Sequence, residues 1–300
     1  FLMIPRQPGS TLFPYTTLFR SSNLLNLGLD PIFIFGWFGL PAWGIRGAAF
    51  ASVLSFTLTL LVGLWLFGSH RTNVGLSLHG KRPMRLATMW KIIRIGLPSW
   101  AGELSFSSSR LIIVPLVATF GTAVVAAYGV GTQIFGFGIM LLVGIGLGLS
   151  SLIGHNIGSG KLDRARKTAD QAVLLGIAIL TVYGVIVFFG AEQIMRLFFV
   201  APETISQGTT ILRIFAIGFP FFGAYEMLIH IHSGVGMNTP AMVVIFIQSW
   251  LLQTLPILLL VEVWNLPQIS IWWVFTVSGA LCALGMYWYY RTGKWLTARV

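Results

Sequence analysis

Five ionisable side chains stand inside long apolar stretches of the 300-residue sequence: Asp30, Glu103, Arg110, Arg213 and Glu226. If those stretches lie in lipid, each such group costs about 2.5–3.5 kcal/mol or more near the bilayer centre, so each calls for a function or a partner. Asp30 has the most suggestive neighbours. Asn26 precedes it by one helical turn, which puts both on one face with the amide in reach of the carboxyl group. Pro31 follows and, having no N–H, leaves the Leu27 carbonyl without its helical partner. A carboxylate, an amide and a free carbonyl on a kinked helix suit the binding of a proton or of Na⁺. A helix bend or a polar helix–helix contact would use the same residues.

Glu103 and Arg110 lie two turns apart along one helical face. They read equally as ion-handling groups or as charges that find a structural partner inside a bundle. Arg213 is expected near a membrane interface, with its stem in lipid and its guanidinium in water. Other residue sets fail as chemistry. Gly158-Ser159-Gly160-Lys161 lacks the glycine and the hydroxyl residue that a phosphate-binding loop needs, since His155 and Leu162 hold those places. His230 and His232 are two apart, so on a helix they point away from each other and cannot share a metal. Neither a paired nucleophile nor a metal cluster is present, and the chain is not expected to be an enzyme. Gly136, Gly138, Gly144, Gly146 and Gly148 read as close-packing positions between helices, with Gly144 and Gly148 in the small-xxx-small spacing.

The elements that must position these residues follow from composition. The chain is 56% hydrophobic and 9% charged with a mean hydropathy of +0.84, far from the roughly 25% charged residues of a soluble domain. Apolar runs of about 20 residues match a hydrocarbon layer about 30 Å thick. They are expected at 24–39, 44–67, 92–119, 122–153, 171–190, 206–233, 240–262 and 269–290. All should be helical, because a helix satisfies its own backbone in lipid; the fold class is all-α, a polytopic helical membrane protein. The lone cysteine, Cys282, excludes an intrachain disulfide.

The net charge of +11 is distributed by topology. Basic residues gather at Arg71, Lys81, Arg82, Arg85, Lys91 and Arg94, then at Lys161, Arg164, Arg166 and Lys167, then at Arg291, Lys294 and Arg299. These clusters share one side if every span crosses once, and the positive-inside rule makes that side, with the C-terminus, cytoplasmic. The charge sets orientation; no nucleic-acid partner is expected.

One stretch is specific to a family. Gly154-His155-Asn156-Ile157-Gly158-Ser159-Gly160-Lys161, ahead of Asp163, Arg164 and Arg166, resembles the segment that closes a helix in the C-terminal lobe of multidrug and toxic compound extrusion (MATE) transporters. The turn Phe120-Gly121-Thr122 with Ala126-Ala127-Tyr128 is similar to that family. So is Asn26 to Gly36, which looks like its fifth helix. Gly234-Val235-Gly236-Met237-Asn238-Thr239-Pro240 resembles a family turn but has Met237 where a polar residue is usual.

The resemblance implies a twelve-helix transporter in two six-helix lobes, of which this chain carries the end of the first lobe and the complete second. Residues 23–67 would be the last helices of the N-terminal lobe, 68–90 a cytoplasmic inter-lobe linker and 91–300 the C-terminal lobe. Residues 1–22 resemble translated sequencing adapter and are expected to stand apart from the fold. The implied function is secondary active efflux by H⁺ or Na⁺ antiport, without a cofactor, from the bacterial cytoplasmic membrane. Substrates would be lipophilic or cationic small molecules, and the full-length protein a monomer. A lipid-linked oligosaccharide flippase of the same superfamily and a non-transporting membrane scaffold are the alternatives. The family's Asn-x-x-x-Asp coupling pair falls on Asn26 and Asp30. Its Na⁺-binding acids in the seventh and tenth helices point to Glu103 and Glu226, the only metal site implied being for Na⁺. Tyr128, Gln133, Phe106, Phe222 and Tyr225 are the implied substrate contacts, since aromatic walls hold lipophilic cations.

Overall fold

The computed structural model describes residues 14–39, 41–68 and 86–297, and the chain divides into two compact units at Met84/Arg85. The expected linker residues 69–85, with His70, Arg71, His79 and Lys81, lie outside the described residues, as do 1–13.

Unit 1 is a helical hairpin. α1 (Pro14–Phe35) passes through a short 3₁₀ turn (Trp37–Gly39) to α2 (Ile45–Gly68). The turn is held by the Trp43 N–H donating to the Phe33 carbonyl at 3.0 Å and by the Phe33 ring against Trp43 and Phe50, 5.7 and 5.0 Å between centroids. Gly47 lies against the Phe33 carbonyl, where a side chain would collide. Residues 1–22 were expected to stand apart from the fold; 1–13 lie outside the described residues, and over 14–22 the structure differs, with α1 running from Pro14 unbroken past Asn23. Nothing between Pro14 and Ser22 breaks a helix, and proline is tolerated in a first turn, where its missing N–H has no partner to lose.

Unit 2 contains α3 (Leu86–Ala118), α4 (Thr122–Gly158), α5 (Leu162–Phe198), α6 (Pro202–Gly234), α7 (Asn238–Phe246), α8 (Leu255–Leu258) and α9 (Ile269–Arg291). The helix from α7 through α8 is wound as π-helix over Ile247–Thr254 and again over Leu259–Val263. Among the described residues, seven helices are long and apolar enough to cross a membrane, α2 to α6, the composite Asn238–Val263 and α9. The chain is a multi-pass membrane protein. Helix ends overrun the expected spans, most of all in α5, which was expected at 171–190. The run Asp163–Lys167 is polar but helix-forming, so the helix continues beyond the apolar segment until a glycine stops it.

Those stops are the family-like stretches. After α4, Gly160 takes φ +71°, the Lys161 N–H donates to the Asn156 carbonyl and the Gly160 N–H to that of Ile157, both at 2.9 Å. After α6, Gly236 takes φ +73°, with Met237 N–H to His232 carbonyl and Gly236 N–H to Ser233 carbonyl, both at 3.0 Å. Each is a Schellman motif, which satisfies the carbonyls a helix end would leave bare in lipid. Met237 donates only its backbone N–H, so its departure from the family's polar residue does not disturb the turn.

The core of unit 2 forms where α4, α5, α6 and α9 meet, around Leu142, Leu180, Phe219 and Met227. Glycines set the spacing. The α5 and α6 backbones touch at Gly176 and Gly223, where a side chain on either would strike the other's carbonyl. On α4 the close contacts are at Gly131, Gly138, Gly146 and Gly154, whereas Gly136, Gly144 and Gly148 face open space. The expected role for Gly144 and Gly148 is thus corrected. The packing face follows Ala127, Gly131, Ile134, Gly138, Leu142, Gly146, Leu149 and Ile153, a three-four alternation that passes between those two glycines.

Candidate functional site

In unit 1 the anticipated pair is formed. The Asn26 amide donates to Asp30 Oδ1 at 3.3 Å, and Asn26 Nδ2 also lies 3.3 Å from Ser52 Oγ on α2. Both residues are half-buried and Pro31 is inside the helix. Ser52 is a contributor that sequence reasoning missed, since a lone serine in an apolar helix gives no signal. The three side chains join an acid, an amide and a hydroxyl across two helices, with the Asn26 amide N–H₂ donating to both oxygens.

Unit 2 carries a different kind of site. A narrow cleft with a cavity volume of about 60 Å³ is lined by Phe106, Ser109 and Arg110 of α3, Thr132 and Phe135 of α4, Phe215 and Phe222 of α6, and Phe275 and Thr276 of α9. Gln248 and Gln253, from the π-wound segment, complete it. Its aromatic wall is cross-braced: Phe135 stacks on Phe219 at 5.5 Å and meets Phe222 edge-on at 4.8 Å.

The π winding explains how both glutamines reach the cleft. In an α-helix residues five apart sit about 140° from each other around the axis; i→i+5 bonding brings them onto one side. Pro256 has no N–H for the Leu252 carbonyl, and the Ser249 carbonyl accepts from the Thr254 hydroxyl at 2.7 Å and the Ser109 hydroxyl at 3.0 Å. The Ser109 and Thr254 oxygens are 2.7 Å apart; with one proton each, the two hydroxyls make two of these three bonds at a time, and Ser109 ties α3 to the wide turn in each arrangement. Gln253 donates to the Ser278 hydroxyl on α9 at 2.9 Å, and Trp250 to Ser105 on α3 at the same distance. A buried polar seam thereby locks the segment between α3 and α9, as groups without water require.

The implied substrate contacts divide. Phe106 and Phe222 line the cleft. Tyr128 and Tyr225 are buried, at 4% and 6% exposure, and Tyr128 stacks on Trp272 at 5.5 Å. Neither lines the cleft, and neither hydroxyl has a hydrogen-bond partner. Gln133 is exposed, and its neighbour Thr132 lines the cleft instead. That difference is one residue, or about 100° of helix.

The acids divide too. Glu226 Oε1 lies 3.4 Å from His230 Nε2, one turn along α6. The His230 ring fits over Gly146, where any side chain would overlap it, and its carbonyl accepts from the Ser150 hydroxyl at 2.7 Å. Rejecting His230 as a metal ligand left this partnership unseen, although the i,i+4 spacing carries it. Glu103 is exposed on α3 and forms no ion pair with Arg110; the Arg110 guanidinium instead sits 5.0 Å from the Phe106 ring centre. Arg213 is exposed and lies 5.8 Å from the Phe188 ring, beside an open polar hollow that includes Glu192 and Arg196.

The MatE family model matches residues 98–259, most of unit 2, including the π-wound stretch Ile247–Thr254. The chain belongs to the MatE family. Among curated MatE-like relatives, the Bacillus subtilis protein named probable multidrug resistance protein YoeA is 24% identical over 95% of this chain and 62% of its own length. The Thermotoga maritima protein named probable multidrug resistance protein NorM is 26% identical over 84% of this chain and 54% of its own. This chain therefore spans less than two thirds of the relatives it matches. Its fold is similar to that of a MOP superfamily transporter from Pyrococcus furiosus, with a TM-score of 0.83 at 22% identity, covering 94% of this chain and 62% of that one.

Proposed function

We propose that the protein acts in secondary active efflux, as the cleft-bearing part of a MatE transporter that exchanges small lipophilic molecules for H⁺ or Na⁺. The observation that carries this reading is the unit 2 cleft, five phenylalanines with two amides recruited by a π-wound helix. A membrane scaffold has no use for an open cavity held at the expense of regular helix geometry. The Asn26–Asp30–Ser52 cluster supports the coupling half of the reading, with Asp30 as the ion-carrying group and no cofactor beyond the ion. Glu226, facing His230, and exposed Glu103 are secondary candidates.

Orientation is proposed from charge. Arg94 on α3, the Lys161–Lys167 run at the α4–α5 turn and Arg291 at the end of α9 fall on one side when each helix crosses once, which puts that side and the C-terminus in the cytoplasm. The location is a bacterial cytoplasmic membrane and the working unit a monomer. Lipophilic cations were the substrates implied by resemblance, and the aromatic lining supports the ring-bearing, lipophilic part of that expectation. The flippase alternative asks for several cations around a pyrophosphate, whereas Arg110 is the one charged residue lining the cleft.

Proteoliposomes test the reading. A fluorescent aromatic substrate should move only under an imposed pH or Na⁺ gradient and stop when an ionophore collapses that gradient. Gradient-independent movement, or movement of a lipid-linked sugar alone, would remove the exporter reading.

A further inference from the structure

We propose that the unit 2 cleft selects planar aromatic acids, with Arg110 as the partner of the substrate's carboxylate, over cations of the same shape. This rests on the reading of the cleft as a substrate site. Arg110 is the only charged residue in the lining, and no carboxylate among the described residues lies within ion-pairing distance of it. The acids nearby are otherwise engaged or placed. Glu226 faces His230, and Glu103 stands two turns from Arg110 on α3, outside the lining. The Phe106 ring supports the guanidinium from one face at 5.0 Å. A planar guanidinium held by its face still presents the N–H fork along its edge, the geometry that takes a carboxylate by two parallel bonds.

A second group points the same way. Gln248 is 8% exposed, lines the cleft and makes no side-chain hydrogen bond, while Gln253 beside it is engaged by Ser278. Its amide reaches the open space of the cleft, and it can donate to a second oxygen of the same acid. Phe135, Phe215, Phe222 and Phe275 supply the remaining wall, which suits a flat ring system. A cationic ring compound would meet the same wall but would place its charge beside the like charge of Arg110, which has no carboxylate partner among the described residues.

The test compares two fluorescent compounds with one ring and opposite charge, anthracene-9-carboxylate and 9-aminomethylanthracene, by anisotropy titration of the protein in nanodiscs. The acid should bind at least about tenfold more tightly, since a charge-assisted hydrogen bond contributes that much or more. Arg110→Gln should erase the preference, Arg110→Lys should keep its sign, and Gln248→Leu should weaken the acid more than the amine. Equal binding of both compounds, or a preference unchanged in Arg110→Gln, overturns the anion selectivity while leaving the cleft a binding site. Binding of neither compound overturns the cleft itself as a substrate site, and the proposal with it.

Discussion

The two units place their polar chemistry in opposite ways. Unit 1 holds an acid, with an amide and a hydroxyl closing around it across a two-helix hairpin. Unit 2 holds a base on an aromatic ring, facing a cavity walled by phenylalanine, and commits its hydroxyls to bracing a wide helical turn. A small cation needs a few close oxygens, whereas an organic molecule needs area and one or two fixed polar groups. On the proposed function, ion handling and substrate handling fall to separate residue sets, each of which can be disturbed without the other.

The most damaging change should touch neither set. Gly223→Leu drives a side chain into the Gly176 carbonyl and Ile177 backbone, so the loss should exceed about 3 kcal/mol and abolish a monodisperse peak in size-exclusion chromatography. Gly148→Leu, at a position with open space, should leave that peak intact. Two milder changes sharpen the division. Gln253→Leu removes the amide that donates to the Ser278 hydroxyl and takes it out of the cleft, leaving Ser278 its bond to the Phe275 carbonyl, so substrate Kd should rise about tenfold with the ion requirement unchanged. Asn26→Leu should do the reverse, raising the ion concentration for half-maximal transport about tenfold at constant substrate Kd. If either change moves both quantities equally, the two sites are one. Smallest of all, Arg196→Gln breaks an exposed ion pair with Glu192 and should shift thermal stability by no more than about 1 kcal/mol.

The spans, the glycine stops and the Asn26–Asp30 pair were legible because each follows from local spacing: apolar length, a glycine two residues past a helix end, one helical turn. The cleft was legible only in Phe106 and Phe222. Gln248 and Gln253 stand five apart, a spacing that an α-helical reading assigns to different faces, and only the π winding brings them together. Tyr128 and Tyr225 are buried and Gln133 is exposed, all outside the cleft lining, because helix rotation rather than residue type sets which side chains face a cavity. Ser52 depended on which helix packs against which, information absent from a single turn of sequence, whereas the Glu226–His230 pair, one turn apart, was within its reach.

Asp30→Asn tests the separation of roles most directly, because it keeps the shape of the side chain and removes its negative charge. In proteoliposomes, gradient-driven export and gradient-free substrate binding would be measured on the same preparation. The account predicts that driven export falls to the level of empty liposomes while substrate Kd stays within about twofold of wild type, the unit 2 cleft being untouched. Driven export at the wild-type rate, with the same dependence on the gradient, would contradict it and reduce Asp30 to a marker of the Pro31 bend.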